Sequence, residues 1–358
     1  MERLLILNPG STSTKLAVFE EETPLFIESI AHSPEELAPF DCVADQYGFR
    51  RNLIMDSLAR HSVALESLTA IVSRGGLLPP IEAGAYIVNE DMVWQLKNRP
   101  RHEHASNVGA IIAFDIAKEL NIPAYIYDGV TVEELTPINK ITGLPTMYRK
   151  GMGHNLNTRA AALRYAHENH KSYQDITVIV AHLGGGISVN LHHNGKIEDF
   201  INDEEGPFSP ERTGSLPLFD VIHACFQEGR TDKGMMKLVK SQGGLLAHLG
   251  TTDSRQVERM IADGDAHAKL VYDAMILNIA KNIGKLAPGV RGKVDAVLLT
   301  GGIAHSKYVT DGITDYVSFL APVVVYPGED EMRSLALGGL RVLRGEELAR
   351  TFRKVEDL

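Results

Sequence analysis

Cysteine is nearly missing from this chain: Cys42 and Cys225 are the only two in 358 residues. Two thiols so far apart make no disulfide framework, and the lack of any CxxC pair leaves no zinc knuckle. A reducing, cytoplasmic setting is the expectation. Long apolar runs are missing too. No stretch approaches the roughly 18 apolar residues of a bilayer span, and the opening MERLLILNPGS has only a short apolar run before Asn8 and Pro9, well below a signal-peptide core. Basic charge is in deficit, 36 Lys and Arg against 46 Asp and Glu, for a formal net charge of −10. That balance argues against general nucleic-acid binding, which draws on clustered cations to release counterions. It leaves room for a single nucleotide, because local N–H donors and a metal can hold one phosphate group. The GxxxxGK[ST] cradle and the GxGxxG fingerprint are both absent, which excludes a Walker-type phosphate site and argues against a Rossmann dinucleotide site.

What is present is an ordinary globular composition, 44% hydrophobic and 23% charged, in a length that suggests two domains. Residues 4–7 and 15–19 read as strands around an Asn8-Pro9-Gly10 turn and a run of small hydroxyl residues, 11–14. Ser33, Pro34 and Glu36 form a capping-box signature, with a helix expected from there to about residue 61. Strands follow at 69–74, 124–127, 176–181, 187–191, 296–299 and 322–326, and helices at 103–120, 154–167, 266–286 and 334–344. Strands alternating with helices indicate an α/β fold.

Two echoes run through the chain. LLILNPGSTSTKLAVF resembles ITVIVAHLGGGISVNL about half the chain later, and AIVSRGG resembles VLLTGGIA. Each is a strand entering a turn of glycine or small hydroxyl residues, where several N–H groups can face one anion with no side chain in the way. The pattern reads as two copies of one strand-rich unit, each with a turn suited to phosphate.

The segments NPGSTSTKL, VSRGGLLPPI, EHASNVGAIIA, AYIYDGV, AHLGGGISV, GPFSPERTGSLPL, LGTTDSRQV, LTGGIAH and YPGEDEM occur in this order across essentially the whole chain. Together they resemble the acetate and butyrate kinase family of acyl kinases, on its butyrate kinase side, within the actin, hexokinase and Hsp70 ATPase superfamily. The resemblance implies two related ribonuclease H-like domains with mixed sheets, an N-terminal acyl kinase domain of residues 1–149 plus about 333–358 and a nucleotide-binding domain of 150–332, with the active-site cleft between them. It implies reversible in-line transfer of the ATP γ-phosphoryl group to a carboxylate, giving an acyl phosphate and ADP. Mg²⁺ and a homodimer or higher homo-oligomer belong to the same expectation. Such a reaction is catalysed chiefly by positioning and by cations placed around the transferring group.

By the same resemblance, Arg212 in SPERTGS is the catalytic arginine, whose planar fork suits a carboxylate and phosphoryl oxygens. His154 matches the histidine that hydrogen-bonds the transferring group, and His104 a further active-site histidine. Asp128 and Glu331 match acidic residues associated with Mg²⁺, with Glu329 and Asp330 as neighbouring registers, and Asn8 is expected to bond Asp128 or a metal-bound water. One or two carboxylates plus ATP oxygens suffice for this ion. As a residue at a strand end, Asp128 equally suits a turn cap. Asn8, Ser11, His182 and Gly184, Gly185 and Gly186 match the phosphate turns; Asp253, Ser254 and Arg255 match a loop near the ribose and base; Gly301, Gly302 and Ile303 match the adenosine motif, where buried glycine packing is the other reading. The remaining histidines, among them His102, His192 and His193 of 14 in all, gain no role from spacing.

Two departures from the acetate kinases stand out. Their first-domain arginine falls at Ile71 here, and Arg74 lies three residues on, on the opposite face of an extended strand. Either the loop bends so that Arg74 reaches the carboxylate, or Arg74 does something else. In the acyl pocket, with Pro207, the positions of a valine and a phenylalanine are Ser73 and Gly153. Smaller side chains there predict butyrate, isobutyrate or valerate over acetate, each buried methylene being worth up to about 0.8 kcal/mol. An acetate or propionate kinase, a sugar kinase and an actin-like ATPase switch are the alternatives.

Overall fold

A computed structural model describes residues 1–355. Two units emerge from its internal contacts: Met1–Glu133 together with the segment from Asp330 onward, and Glu134–Glu329. The first break lies ahead of the 149/150 boundary that the sequence suggests, because the intervening segment is tied to the second unit. Thr136 N–H donates to the Glu198 carbonyl at 3.1 Å, and Arg149 pairs with Asp199 at 2.8 Å.

The first unit is built on a seven-stranded sheet containing β1 (Arg3–Gly10), β2 (Ser13–Glu20), β3 (Thr23–Ala31), β4 (Ala70–Arg74), β5 (Ala85–Ile87) and β6 (Ala124–Tyr127). Its order is the two-residue strand Arg350–Thr351, then β5, β6, β4, β1, β2 and β3. β1, β4 and β6 run parallel, and β1, β2 and β3 form an antiparallel meander. Leu4, Leu5, Ile6 and Leu7 are all buried, a continuous apolar run of the kind found where both faces of a sheet are covered. Helix Ala105–Leu120 brings Gly109 against Ser73 and Pro9 on one face, while helix Glu331–Leu343 brings Gly339 against Val72 and Leu4 on the other.

The second unit holds β7 (Val178–Leu183), β8 (Ile187–His193), β9 (Lys196–Ile201), β10 (Ala296–Gly301) and β11 (Val323–Pro327), in the order β11, β10, β7, β8, β9. β7, β10 and β11 are parallel and β7, β8 and β9 antiparallel. This is strand for strand the β6, β4, β1, β2, β3 arrangement of the first unit. Even the register shift recurs, at Val18/Phe19 between β2 and β3 and at Leu191/His192 between β8 and β9. The echo in the sequence is therefore a repeat in topology. Alternate residues of β7 enter two clusters: Ile179, Ala181 and Leu183 pack with helix Ala266–Leu286, and Val178 and Val180 with helix Asn155–Glu168.

One expected helix is broken. Ser33 does close a capping box with Glu36, but that helix ends at Leu37, and helix Tyr47–Arg60 starts afresh after a turn of 3-10 helix, Val43–Gln46. Pro39 lies between them, with no N–H to continue the ladder.

Candidate active site

In the first unit the candidate residues collect at the carboxyl ends of three adjacent parallel strands: Asn8 on β1, Ser73 and Arg74 on β4, and Asp128 after β6. Carboxyl ends of parallel strands are where open α/β sheets place ligands. Glu331 joins them from the first turn of helix Glu331–Leu343, which Asp330 caps by accepting the Arg333 N–H at 2.9 Å. The Glu331 carboxylate takes Arg74 Nη1 on Oε1 and Asn8 Nδ2 on Oε2, the latter at 2.6 Å. Asn8 thus bonds Glu331 in place of Asp128, one of the two partners expected of it, and Arg74 is an ion-pair partner inside its own unit.

Asp128 is buried at a φ of 43°, with Oδ1 accepting the Gly84 N–H at 2.7 Å. That contact is the turn-capping role. His104 is the N-cap of helix Ala105–Leu120, its Nδ1 accepting the Ser106 N–H at 3.2 Å. The proton of the neutral ring is thereby on Nε2, as a donor. Burial first, then the charges of Arg74 and Arg50, hold its pKa below the usual histidine range.

The second unit repeats the plan. His182, one residue before the end of β7, is buried 3.3 Å from the Glu329 carboxylate that follows β11, and Asn157 Nδ2 reaches the same oxygen at 3.4 Å. His154, at the start of helix Asn155–Glu168, stacks on His182 with ring centroids 4.4 Å apart and sets Nδ1 3.1 Å from Ser188 Oγ. Gly184, Gly185 and Gly186 turn β7 into β8, and the Gly185 carbonyl accepts Ser209 Oγ at 2.5 Å. Ser209 also accepts the Arg212 N–H at 3.2 Å, folding the SPERTGS loop over the glycine turn. A Cβ on Gly186 would lie 2.5 Å from Asp203 Oδ2 and 2.9 Å from Arg212 Cζ. Only glycine leaves space for the Arg212–Asp203 ion pair there. Asp203 is a partner of candidate Arg212 that sequence reasoning missed; nothing in NDEEG distinguishes it from its acidic neighbours.

The remaining candidates have structural partners of their own. Asp253 caps helix Ser254–Ala262 and pairs with exposed Arg255 at 2.9 Å. Gly301 has a φ of 92°, and a Cβ there would sit 2.4 Å from the Leu183 carbonyl, so packing accounts for it; Gly302 is open and Ile303 lies in the core. Ser73 and Gly153 both have close neighbours. A Cβ on Gly153 would meet Phe200 at 2.5 Å, and one on Gly109 would meet Ser73 Oγ at 2.8 Å. Each of the two small residues sits against the chain's own atoms, Phe200 beside Gly153 and Gly109 beside Ser73. Pro207 is buried in the loop that Gly214 closes.

Asn8, Asp128 and Glu331 already carry protein partners. Both Glu331 oxygens and one Asp128 oxygen are engaged, and among the described residues no group of three His, Cys, Asp or Glu side chains is placed to hold a metal.

Comparison with known proteins places this architecture. A family model described as the Acetokinase family matches residues 142–321. The chain is 46% identical over 355 residues to butyrate kinase 1 of Clostridium acetobutylicum, spanning 99% of this chain and 100% of that protein. The chain belongs to the acetokinase family. Butyrate kinase 2 of the same organism is also 46% identical, over 353 residues, covering 98% of this chain and 99% of that one. The fold agrees with the family. The crystal structure of Porphyromonas gingivalis acetate kinase superposes with a TM-score of 0.80 at 18% identity, covering 96% of this chain and 100% of that one.

Proposed function

We propose that the chain transfers the γ-phosphoryl group of ATP to a short-chain fatty acid, butyrate or a branched C4–C5 acid, reversibly forming an acyl phosphate and ADP. The observation that carries this reading is 46% identity along the full length of two butyrate kinases. The carboxylate oxygen attacks the γ-phosphorus in line, the bond to the β-γ bridging oxygen breaks, and ADP leaves with the electron pair. Arg212, oriented by Asp203, neutralises charge on the transferring oxygens. His154, with Ser188 Oγ beside Nδ1, donates from Nε2 to the same group. The Gly184–Gly186 and Asn8–Ser11 turns hold nucleotide phosphates, His182 orients His154 by stacking, and Arg74 and His104 serve the carboxylate. Mg²⁺ enters as part of the MgATP substrate.

The acyl preference rests on the relatives and not on a cavity at Ser73 and Gly153. We further propose a cytoplasmic homo-oligomer. Its two cysteines are free, and among the described residues no helix is long and apolar enough to cross a membrane. Helix Leu218–Cys225 buries none of its side chains, and Phe219 and Phe226 beside it are 77% and 86% exposed, which supports a surface covered by a second copy.

An acyl-hydroxamate assay with MgATP and acids from acetate to hexanoate tests the reading. Hydroxamate formation with the highest kcat/KM at C4 or C5 is expected. A maximum at acetate makes the protein an acetate kinase, and ATP hydrolysis without hydroxamate makes it a nucleotide switch.

A further inference from the structure

Helix Tyr47–Arg60 buries an arginine completely: Arg50 heads the fully buried side chains by size among the described residues. Its partners are all neutral. Nε donates to Gln46 Oε1 at 2.9 Å, Nη1 to the Ser13 carbonyl at 2.9 Å and to Thr14 Oγ1 at 3.0 Å, and Nη2 to the Ser11 carbonyl at 3.4 Å. No carboxylate pairs with it among the described residues. Burying a cation without an anion is among the costliest arrangements a protein can hold, and hydrogen bonds to neutral oxygens offset the cost only in part. The charge is felt nearby, since Arg50 helps to lower the pKa of both His32 and His104 after burial itself.

All but one of those bonds end on the tip of the β1–β2 hairpin. Ser11 and Ser13 turn their carbonyls to Arg50, and the intervening Thr12 carbonyl accepts the His32 N–H at 2.9 Å. Thr14 Oγ1 is shared between Arg50 and His32 Nε2, the latter at 2.8 Å. Three successive carbonyls are thus held inward. Ser11 and Thr12 are exposed, and their N–H groups have no acceptor among the described residues. A turn with its carbonyls withdrawn, its N–H groups facing solvent and a cation behind it has the geometry of an anion-binding turn.

We propose that Arg50 is a positioning residue for nucleotide binding: it locks the β1–β2 tip with its N–H groups available and supplies the buried positive charge that the terminal phosphates of ATP neutralise. The proposal rests on the phosphotransferase reading above and assigns a role within it to a residue that never touches the reacting atoms.

Gln46→Glu tests it, because the change puts a carboxylate on the guanidinium with almost no change of shape. Calorimetry with ATP and with AMP is the measurement. The variant is expected to melt at or above the wild-type temperature without ligand, to raise the Kd for ATP about tenfold, as expected for loss of a nearby buried charge, and to leave the Kd for AMP within about twofold. Arg50→Gln is expected to weaken ATP in the same way, with Arg50→Lys recovering part of the loss. An ATP Kd within about threefold of wild type in folded Gln46→Glu overturns the proposal, since a purely structural Arg50 would leave it there. Failure of Gln46→Glu to fold also overturns it, since an uncompensated cation would welcome the carboxylate. Wild-type protein that binds ATP but forms no acyl hydroxamate defeats the phosphotransfer reading alone, with the role of Arg50 still judged by the ATP Kd.

Discussion

Asp203 makes Arg212 a placed cation in place of a free one. Its carboxylate and the bare Cα of Gly186 give the guanidinium one seat, and burial moves the Arg212 pKa down from its ordinary value. Arg212→Ala should lower kcat by at least about tenfold. Asp203→Ala should cost about ten- to a hundredfold in kcat with the KM for ATP little changed, as expected for an orienting group. Turnover within twofold of wild type removes either residue from the site. A second residue-scale prediction concerns His192, wholly buried against the Tyr173 hydroxyl at 2.8 Å, where burial and then Arg159 push its pKa down to about 3. The unfolded chain binds a proton there near pH 6.5 and the folded chain does not. Stability is therefore full above pH 6.5 and falls as pH drops toward 3, by about 1.4 kcal/mol per pH unit for this one proton. His192→Gln, which keeps an acceptor for Tyr173 but cannot be protonated, should flatten the slope of melting temperature against pH between 6 and 4.5; an unchanged slope refutes the assignment. Residue types at the site were legible in the sequence, but their partners were not. Glu331 finds Asn8 and Arg74 across separations of 323 and 257 residues, and no local pattern announces such pairs.

At the scale of elements, glycine decides how closely helix Glu331–Leu343 lies on its sheet. A Cβ on Gly338 would sit 2.5 Å from the Tyr127 ring, whose hydroxyl is fixed by Glu347 at 2.6 Å and Arg341 at 2.8 Å. Helix propensity favours alanine by about 1 kcal/mol, yet the ring has nowhere to go, and overpacking of this kind costs roughly 1–3 kcal/mol. Gly338→Ala should therefore lower the melting temperature. It should also lower kcat, because the same helix carries Glu331. A rise in stability would show that the ring yields. Elements with strong period or punctuation were readable: the apolar β1 and β7, the long helix Ala266–Leu286, and the capping box at Ser33. Helix Lys307–Val317 was not, because its β-branched residues and Gly312 speak against a helix; Gly312 is there for close approach to Ile276.

At the scale of the molecule, the same five-strand order serves both units, with Asn8, Arg74 and Asp128 in the first and His182 and Gly301 in the second at or just past the carboxyl ends of parallel strands. The repeat was visible in the sequence because both units carry a strand that runs into a turn of glycine or small hydroxyl residues. The exposed helix Leu218–Cys225 carries the prediction at this scale. Phe219→Glu should shift the mass measured by light scattering from oligomer toward monomer, and an unchanged mass excludes that helix as the contact.

Glu331 reaches Asn8 and Arg74 from the last stretch of the chain. During synthesis the strands of the first unit leave the ribosome early, but the helix that covers Val72 and Leu4 and completes that cluster comes almost 200 residues after Glu133, once all of Glu134–Glu329 has been made. A nascent chain that stalls before Asp330 therefore exposes one apolar face of its first sheet and has no Glu331. The order of translation leaves a chain interrupted there conspicuous to chaperones and proteases until Asp330 and the helix after it are made.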